Sequence, residues 1–398
     1  MGNHGFFLEI MKKEKYLEAF KQTSNNWCFS FAPGRIEFLG NHLDYNGGTV
    51  LGMAVNAGIY CLGVPQDDNS ISFFSENFED AGWDGDLNQT QRLDGKYSWV
   101  NYCLGVLEEL KKINLAPTNG FRLIFTSDLP TSVGLSSSAA LELATAHTLL
   151  QLSGHTLSKE EIVKICRQAE NTFVGMPCGI LDQGTSAFGK EDHLVCIECD
   201  QEKFYNLALP PETEVWVFNS GIKHDLVDSL YSTRHQECQD ALECIKVSNP
   251  ARNSLCECTI DDLSAIELPE NLRKRATHVI DEQRRVASFR QGIENNSNLA
   301  DLGLLLSQSH NSSSENFENS CEELDFLADK LNEHSSVLGA RLTGGGFGGA
   351  VMAWVRKSFN EADAIKIQEA YHSRFRQKID SFHFKASEGA RKENLLKE

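Results

Sequence analysis

Five glycines within six positions, Gly344-Gly-Gly-Phe-Gly-Gly349, sit between apolar, strand-like flanks in the segment Ala340–Val355. Glycine at this density lets a backbone turn freely and come close to a ligand. The stretch contains G-x-G-x-x-G and, with Val351, the glycine-loop pattern of protein kinases. Its context excludes both readings. A dinucleotide fold needs a helix after the glycines, but Ala350–Val355 is strand-like. A protein kinase needs a catalytic lobe afterwards, but the sequence stops at Glu398. No G-x-x-x-x-G-K-[ST] occurs either, so a nucleotide held here requires another architecture.

A chain of 398 residues suggests two domains or three. We place the division near residue 215, giving 1–215 and 216–398. The apolar share of 41% allows a sizeable core. The formal charge of -19 argues against a nucleic-acid partner and against an anionic membrane surface. No run approaches 18 apolar residues, and Met1–Lys21 spreads its charges through the segment rather than ahead of an apolar block. A cytoplasmic monomer is expected. Twelve cysteines include Cys196-x-x-Cys199, Cys238 to Cys244 and Cys256-x-Cys258, but no paired zinc-module spacing. They read as reduced thiols used as small apolar residues, with no structural metal.

Strand character marks Cys28–Ala32, Thr49–Tyr60, Ser70–Phe74 and Gly120–Thr126. Trp99–Lys112 places Tyr102, Val106 and Leu110 at four-residue steps and ends in lysines, as a helix does. Ala139–Leu150 is a strong helix former, with serines before it where side-chain oxygens cap free N–H groups. Further helices are expected over Ser158–Val174, Asp225–Lys246 and Cys321–His334. Strands are expected over Val195–Phe218 around Pro210-Pro211. Ser307–Ser320 is polar and reads as a loop or a solvated helix. Strands and helices without regular βαβ alternation favour α+β.

Four stretches carry chemistry. In Ser132-Val-Gly-Leu-Ser-Ser-Ser138, Gly134 admits a close ligand, and the following helix start points N–H groups at an anion. The glycine stretch at 344–349 is the second. Pro33–Gly48 packs Arg35, Asn41, His42 and Asp44 between glycines, a set suited to hydroxyls that both donate and accept. Glu170, followed by Pro177-Cys-Gly-Ile-Leu-Asp-Gln183, places one carboxylate on a helix and one in the next loop.

In this order the stretches resemble the galactokinase family of the GHMP small-molecule kinases. Arg35–Gly48 is similar to G-R-[VI]-x-[LF]-[IL]-G-E-H-T-D-Y-N-G-G, Gly134–Glu142 matches G-L-S-S-S-A-[AS]-L-E, and Arg341–Gly349 matches the third family motif. Further matches lie at Trp99–Tyr102, Gln168–Asn171, Pro177–Gln183, Tyr231–Cys238, His278–Arg285 and Ser320–Asp325, covering nearly the whole chain. The resemblance implies a two-domain α+β fold with the active site in the cleft between domains. It implies phosphorylation of the anomeric hydroxyl of α-D-galactose by ATP. Ser132, Val133, Gly134, Leu135, Ser136, Ser137 and Ser138 would wrap the ATP phosphates. Ser138 and Glu170 would place Mg²⁺. Asp182 would receive the sugar proton, and Arg35 would stabilise Asp182 and the charge on the transferred group. Asn41, His42, Leu43, Asp44, Gly179 and Tyr231 would line the sugar site. Gly345 and Gly346 would pack near the phosphate loop, with Trp99 and Tyr102 on the adenine side.

The family usually carries glutamate where this chain has Asn41, at the C6 end of the sugar. Asparagine can still bond a C6 hydroxyl but does not repel a C6 carboxylate, so galacturonate is a rival substrate. Leu43 for Thr, Gly52 for Pro and Gly184 for Phe are further departures. Some relatives are non-catalytic sugar sensors with a deletion in the serine/alanine stretch. Here Ser136–Ala140 is complete, and Arg35 and Asp182 are present, which implies an active enzyme.

Overall fold

The computed structural model describes residues 27–77, 82–130, 133–223 and 227–393, so Met1–Lys21 and Ser132 lie outside the described residues. Two sheets organise the chain. In the first, β1 (Cys28–Leu39) runs antiparallel to β2 (Thr49–Pro65). The far edge of β2 is shared: Ile59–Pro65 pairs with β5 (Phe121–Ser127), and Thr49–Gly52 with β6 (His193–Glu198). β3 (Ser70–Ser75), β4 (Trp83–Asp86) and β7 (Lys203–Ala208) extend these edges, and β12 (Arg391–Lys392) closes on β1. The second sheet is antiparallel in the order β11–β8–β10–β9, from β8 (Thr213–Lys223), β9 (Val337–Thr343), β10 (Gly348–Arg356) and β11 (Asp380–Phe384).

β1 is longer than its apolar start suggested, because it passes through Pro33-Gly34 by shifting register between Pro33 and Arg35. At that irregularity the Arg35 N–H leaves the ladder and donates to Leu135 O at 3.0 Å. A bulge of this kind re-aims a side chain. It ties the first strand to the segment Val133–Ser138.

Helices α1 (Val100–Lys112), α2 (Ser137–Leu152), α3 (Lys159–Gln168) and α4 (Leu181–Phe188) accompany the first sheet. Every residue of α2 from Ala139 to Leu150 is buried, which explains why this run is apolar or small at every position but Glu142 and His147. The remaining helices are α5 (Val227–Ser248), α6 (Ile260–Ser264), α7 (Glu270–Glu294), α8 (Leu299–Ser312), α9 (Glu322–Asn332) and α10 (Glu361–Phe375). β10 is buried on both faces. Val351, Ala353 and Val355 pack toward a cluster that includes α9 and α10, while Ala350, Met352 and Trp354 join the main core. There Trp354 meets Phe38 and Phe289, with ring centroids 5.9 and 5.5 Å away, and so joins the two sheets.

The polar stretch Ser307–Ser320 is neither a loop nor a solvated helix. It is the end of α8 plus one wide turn, Ser313–Phe317, with Ser309, His310, Ser312, Ser313 and Asn319 buried. Its polar side chains meet polar partners that are buried too: Glu282 for Ser309, His278 for Ser312, the Leu342 N–H for His310, and Asn41 for Ser313 and Asn319.

Candidate active site

Two cavities adjoin along Arg35, Gly344 and Gly345. The smaller, about 200 Å³, is lined by Arg35, Glu37, Asn41, His42, Asp44, Glu170, Cys178, Gly179, Asp182 and Tyr231, among others. The larger, about 490 Å³, is lined by Arg35, Val133 through Ser138 and Thr343 through Gly349. The difference suits a single sugar ring beside a nucleotide.

Arg35 forms the partition. Its Nε donates to Asp182 Oδ1 at 2.7 Å and its Nη1 to Gly134 O at 2.6 Å, so one guanidinium holds a carboxylate and the Gly134 loop together. Asp182 is presented by the first turn of α4, and its other oxygen accepts from the Ser136 hydroxyl. This corrects the capping expectation. Ser136 is the residue before α2, but it adopts φ 51° and makes no side-chain cap bond, because its hydroxyl is spent on Asp182. The first N–H groups of α2 therefore keep their capacity for an anion, and the helix dipole favours one there. Gly134 and Gly344 face each other: a Cβ on Gly344 would lie 3.6 Å from Gly134 O. Both have positive φ, 71° and 78°, which an L side chain rarely adopts.

The loop that follows β1 is fixed from behind. Glu282 on α7 accepts from the N–H groups of Gly40 (3.0 Å) and Asn41 (3.2 Å), from Ser309 Oγ (2.7 Å) and from Arg285 Nε (2.6 Å). Burial alone would raise its pKa, but Arg285 and its other partners hold it down to about 2. Asn41 is fully buried. Its Nδ2 donates to Glu37 Oε1 (2.9 Å) and Gly344 O (3.0 Å), and its Oδ1 accepts from Asn319 Nδ2 (2.9 Å) and Ser313 Oγ (3.2 Å). Glu37 also meets Arg341 Nη2 at 3.0 Å. His42 stacks on Phe317 at 4.2 Å, with Nδ1 3.0 Å from the Tyr45 hydroxyl and Nε2 3.2 Å from Gly345 O. Burial holds its pKa to about 3, so it is a neutral hydrogen-bonding group at pH 7. Burial first, then the Asp182 and Glu37 carboxylates, push Asp44 up to about 7. A Cβ on Gly179 would collide with the Asp44 carboxylate, so this close approach requires glycine.

Sequence reasoning placed most of these groups, but three expected residues lie elsewhere. Leu43 is wholly buried in the core and lines neither cavity. Trp99 packs edge-on against Phe125 at 5.9 Å, and neither Trp99 nor Tyr102 is among the lining residues. Glu37, Glu142, Glu282, Asn319 and Arg341 were not singled out. For Glu37 the available signal was its place inside the sugar-site motif, two residues beyond Arg35 on the same face of a strand.

Comparison with known proteins places the chain in a family. Family models for the GHMP kinases N terminal domain (residues 101–190), the galactokinase galactose-binding signature (14–65) and the GHMP kinases C terminal (289–377) all match. The mevalonate kinase of Methanococcus jannaschii shares the fold at a TM-score of 0.63, with 17% identity over 92% of this chain and 99% of its own. That defines the fold class as the GHMP kinases. Galactokinase of Thermotoga neapolitana is 37% identical over 91% of this chain and 99% of its own, and that of Bacillus subtilis 33% identical over 91% and 94%. The structure of Lactococcus lactis galactokinase complexed with galactose matches at a TM-score of 0.91, with 30% identity over 96% of this chain and 99% of its own. The chain belongs to the galactokinase family.

Proposed function

We propose that this protein transfers the γ-phosphoryl group of ATP to the anomeric hydroxyl of α-D-galactose, giving α-D-galactose 1-phosphate and ADP. The observation that carries the reading is Arg35, which lines both cavities and bonds Asp182 on one side and Gly134 on the other. Phosphoryl transfer is mainly positioning plus neutralisation of negative oxygens. In this reading the loop from Ser132 to Ser138 and the start of α2 hold the phosphates, with Gly345 and Gly346 packed over them. Asp182 takes the proton of the C1 hydroxyl, and the Arg35 guanidinium stabilises the charge that develops on the transferred group. His42, Asp44, Gly179 and Tyr231 hold the ring so that C1 meets Asp182.

The residues near α2 fit Mg²⁺. Glu142 Oε1 is buried with no hydrogen-bond partner, and Gln183 Nε2 bridges Glu142 Oε2 (3.0 Å) and Glu170 Oε2 (2.6 Å). Burial, then the neighbouring Asp182 carboxylate, raises Glu170. Ser138 and Glu170 would hold the ion. When bound it neutralises phosphate oxygens. Among the described residues, no group of three or more His, Cys, Asp or Glu could hold a metal ion by itself.

The cavity wall favours a neutral sugar over galacturonate. Four carboxylates, Glu37, Asp44, Glu170 and Asp182, face one guanidinium there, and burial, with Asp182 and Glu37 adding to it, already pushes Asp44 up to about 7. A substrate carboxylate would add a fifth negative group. We also assign residues 1–215 and 216–398 to the two GHMP kinase domains, a division supported by the second sheet opening at Thr213. Twelve unpaired cysteines support a reducing, cytoplasmic location, and no described helix is long and apolar enough to cross a membrane. A monomer carrying both cavities suffices for this reaction.

The test is ADP release by purified protein with ATP and Mg²⁺ against galactose, galacturonate, N-acetylgalactosamine and glucose, compared as kcat/KM. Galactose is expected to lead. Galacturonate in the lead would move the substrate to the uronic acids, and sugar and ATP binding without ADP release would make the protein a sensor.

A further inference from the structure

Asn41 has no hydrogen-bonding capacity left for a ligand. A primary amide offers two N–H donors and one oxygen with two lone pairs. Here Glu37 and Gly344 O take the donors, while Asn319 and Ser313 fill the oxygen. A sugar hydroxyl meeting Asn41 would have to displace a buried partner. Glu37 differs. Its Oε1 is shared by Asn41 at 2.9 Å and Arg341 at 3.0 Å, whereas Oε2 has only a longer Asn41 contact of 3.3 Å. A carboxylate accepts at about four lone-pair sites, so Oε2 retains accepting capacity. Glu37 also lines the cavity that holds Asp182, from the same face of β1 as Arg35.

The geometry points to Glu37, and not Asn41, as the residue that reads the sugar end beside the Asn41 wall. Resting on the galactose reading above, Glu37 Oε2 accepts from the C6 hydroxyl, and its carboxylate rejects a sugar that carries a carboxylate at C6. Arg341 holds Glu37 in place. The guanidinium is wholly buried and donates to Glu37 O (3.3 Å), Phe38 O (3.3 Å) and Glu37 Oε1. Asn41 serves as a spacer that aligns the carboxylate and links it to Gly344 on the phosphate side.

The test compares kcat/KM for galactose, 6-deoxygalactose and galacturonate in the wild type, Glu37→Gln and Glu37→Asp. A hydroxyl bonded to a charged acceptor should make galactose about 10- to 100-fold better than 6-deoxygalactose in the wild type. Glu37→Gln is expected to shrink that gap about tenfold, through loss on galactose alone, and to raise galacturonate relative to galactose. Glu37→Asp keeps a charge for Arg341. It is expected to fold and to shrink the same gap while still rejecting galacturonate. If Glu37→Gln does not fold, Glu37→Asp and the wild-type gap decide the matter. Equal losses on galactose and 6-deoxygalactose, or an unchanged gap in the variants, would overturn the assignment. No ADP release from galactose by the wild type would instead overturn the kinase reading and this inference with it.

Discussion

Asp182→Ala is expected to lower kcat by about 10²- to 10⁴-fold, the range for losing a positioned proton acceptor, while ATP affinity stays near that of the wild type. The reason is the division of labour at the partition. Asp182 accepts from Arg35 and Ser136, and removing it takes away a group facing the sugar cavity. The phosphate side keeps its Arg35 bond to Gly134 and the start of α2. Asp182→Asn separates two roles for the carboxylate. An asparagine can still align a hydroxyl but cannot take its proton, so the account expects it to be as impaired as the alanine variant. Steady-state kinetics with ATP binding by calorimetry checks this. Wild-type turnover in the alanine variant would remove Asp182 from the mechanism, and wild-type turnover in the asparagine variant alone would leave it only the aligning role.

The largest effect on stability is expected at Glu282, which the catalytic scheme does not use. This carboxylate satisfies two backbone N–H groups of the sugar-site loop, Ser309 and Arg285 at once. Removing one partner of a buried, hydrogen-bonded pair leaves the other uncompensated, so Glu282→Ala should cost about 3 to 5 kcal/mol at pH 7. The pH dependence follows from its pKa, held at about 2 against an ordinary 4.5. A depressed carboxylate contributes its full stability above the ordinary value and loses it as pH falls toward the folded one. The gap between wild type and variant in urea unfolding should therefore be constant from pH 7 to about 5 and narrow by about 2 kcal/mol by pH 3. A gap that does not change with pH would contradict an ionised Glu282.

These cases show which parts of the molecule were legible in sequence. The Trp99–Lys112 helix announced itself by four-residue spacing and terminal lysines, and α1 spans Val100–Lys112. Local signals also found the strands around Pro210-Pro211, because those prolines stand between β7, in the first sheet, and β8, in the second. Ser307–Ser320 misled because polarity reports solvent only on average. Ser313 and Asn319 are buried against Asn41, more than two hundred residues earlier in the chain, a pairing no local pattern encodes. Ser136 misled for a similar reason: a serine before a helix caps it unless a distant carboxylate claims the hydroxyl. The sugar and phosphate motifs were legible because glycines, carboxylates and serines crowd there beyond what a turn requires. What was not legible was which group each side chain spends its hydrogen bonds on. Asn41 is the clearest case, since residue type suggests a ligand contact and the structure shows every donor and acceptor already engaged.

The measurement that bears most directly on the central claim is the position of the new phosphate. Product made from galactose and ATP can be read by phosphorus and proton magnetic resonance, where a phosphate on C1 couples to the anomeric proton. The account predicts a single product, α-D-galactose 1-phosphate, formed in step with ADP. Phosphate on C6 or another hydroxyl would contradict it, because Asp182 and Arg35 would then be serving a different oxygen.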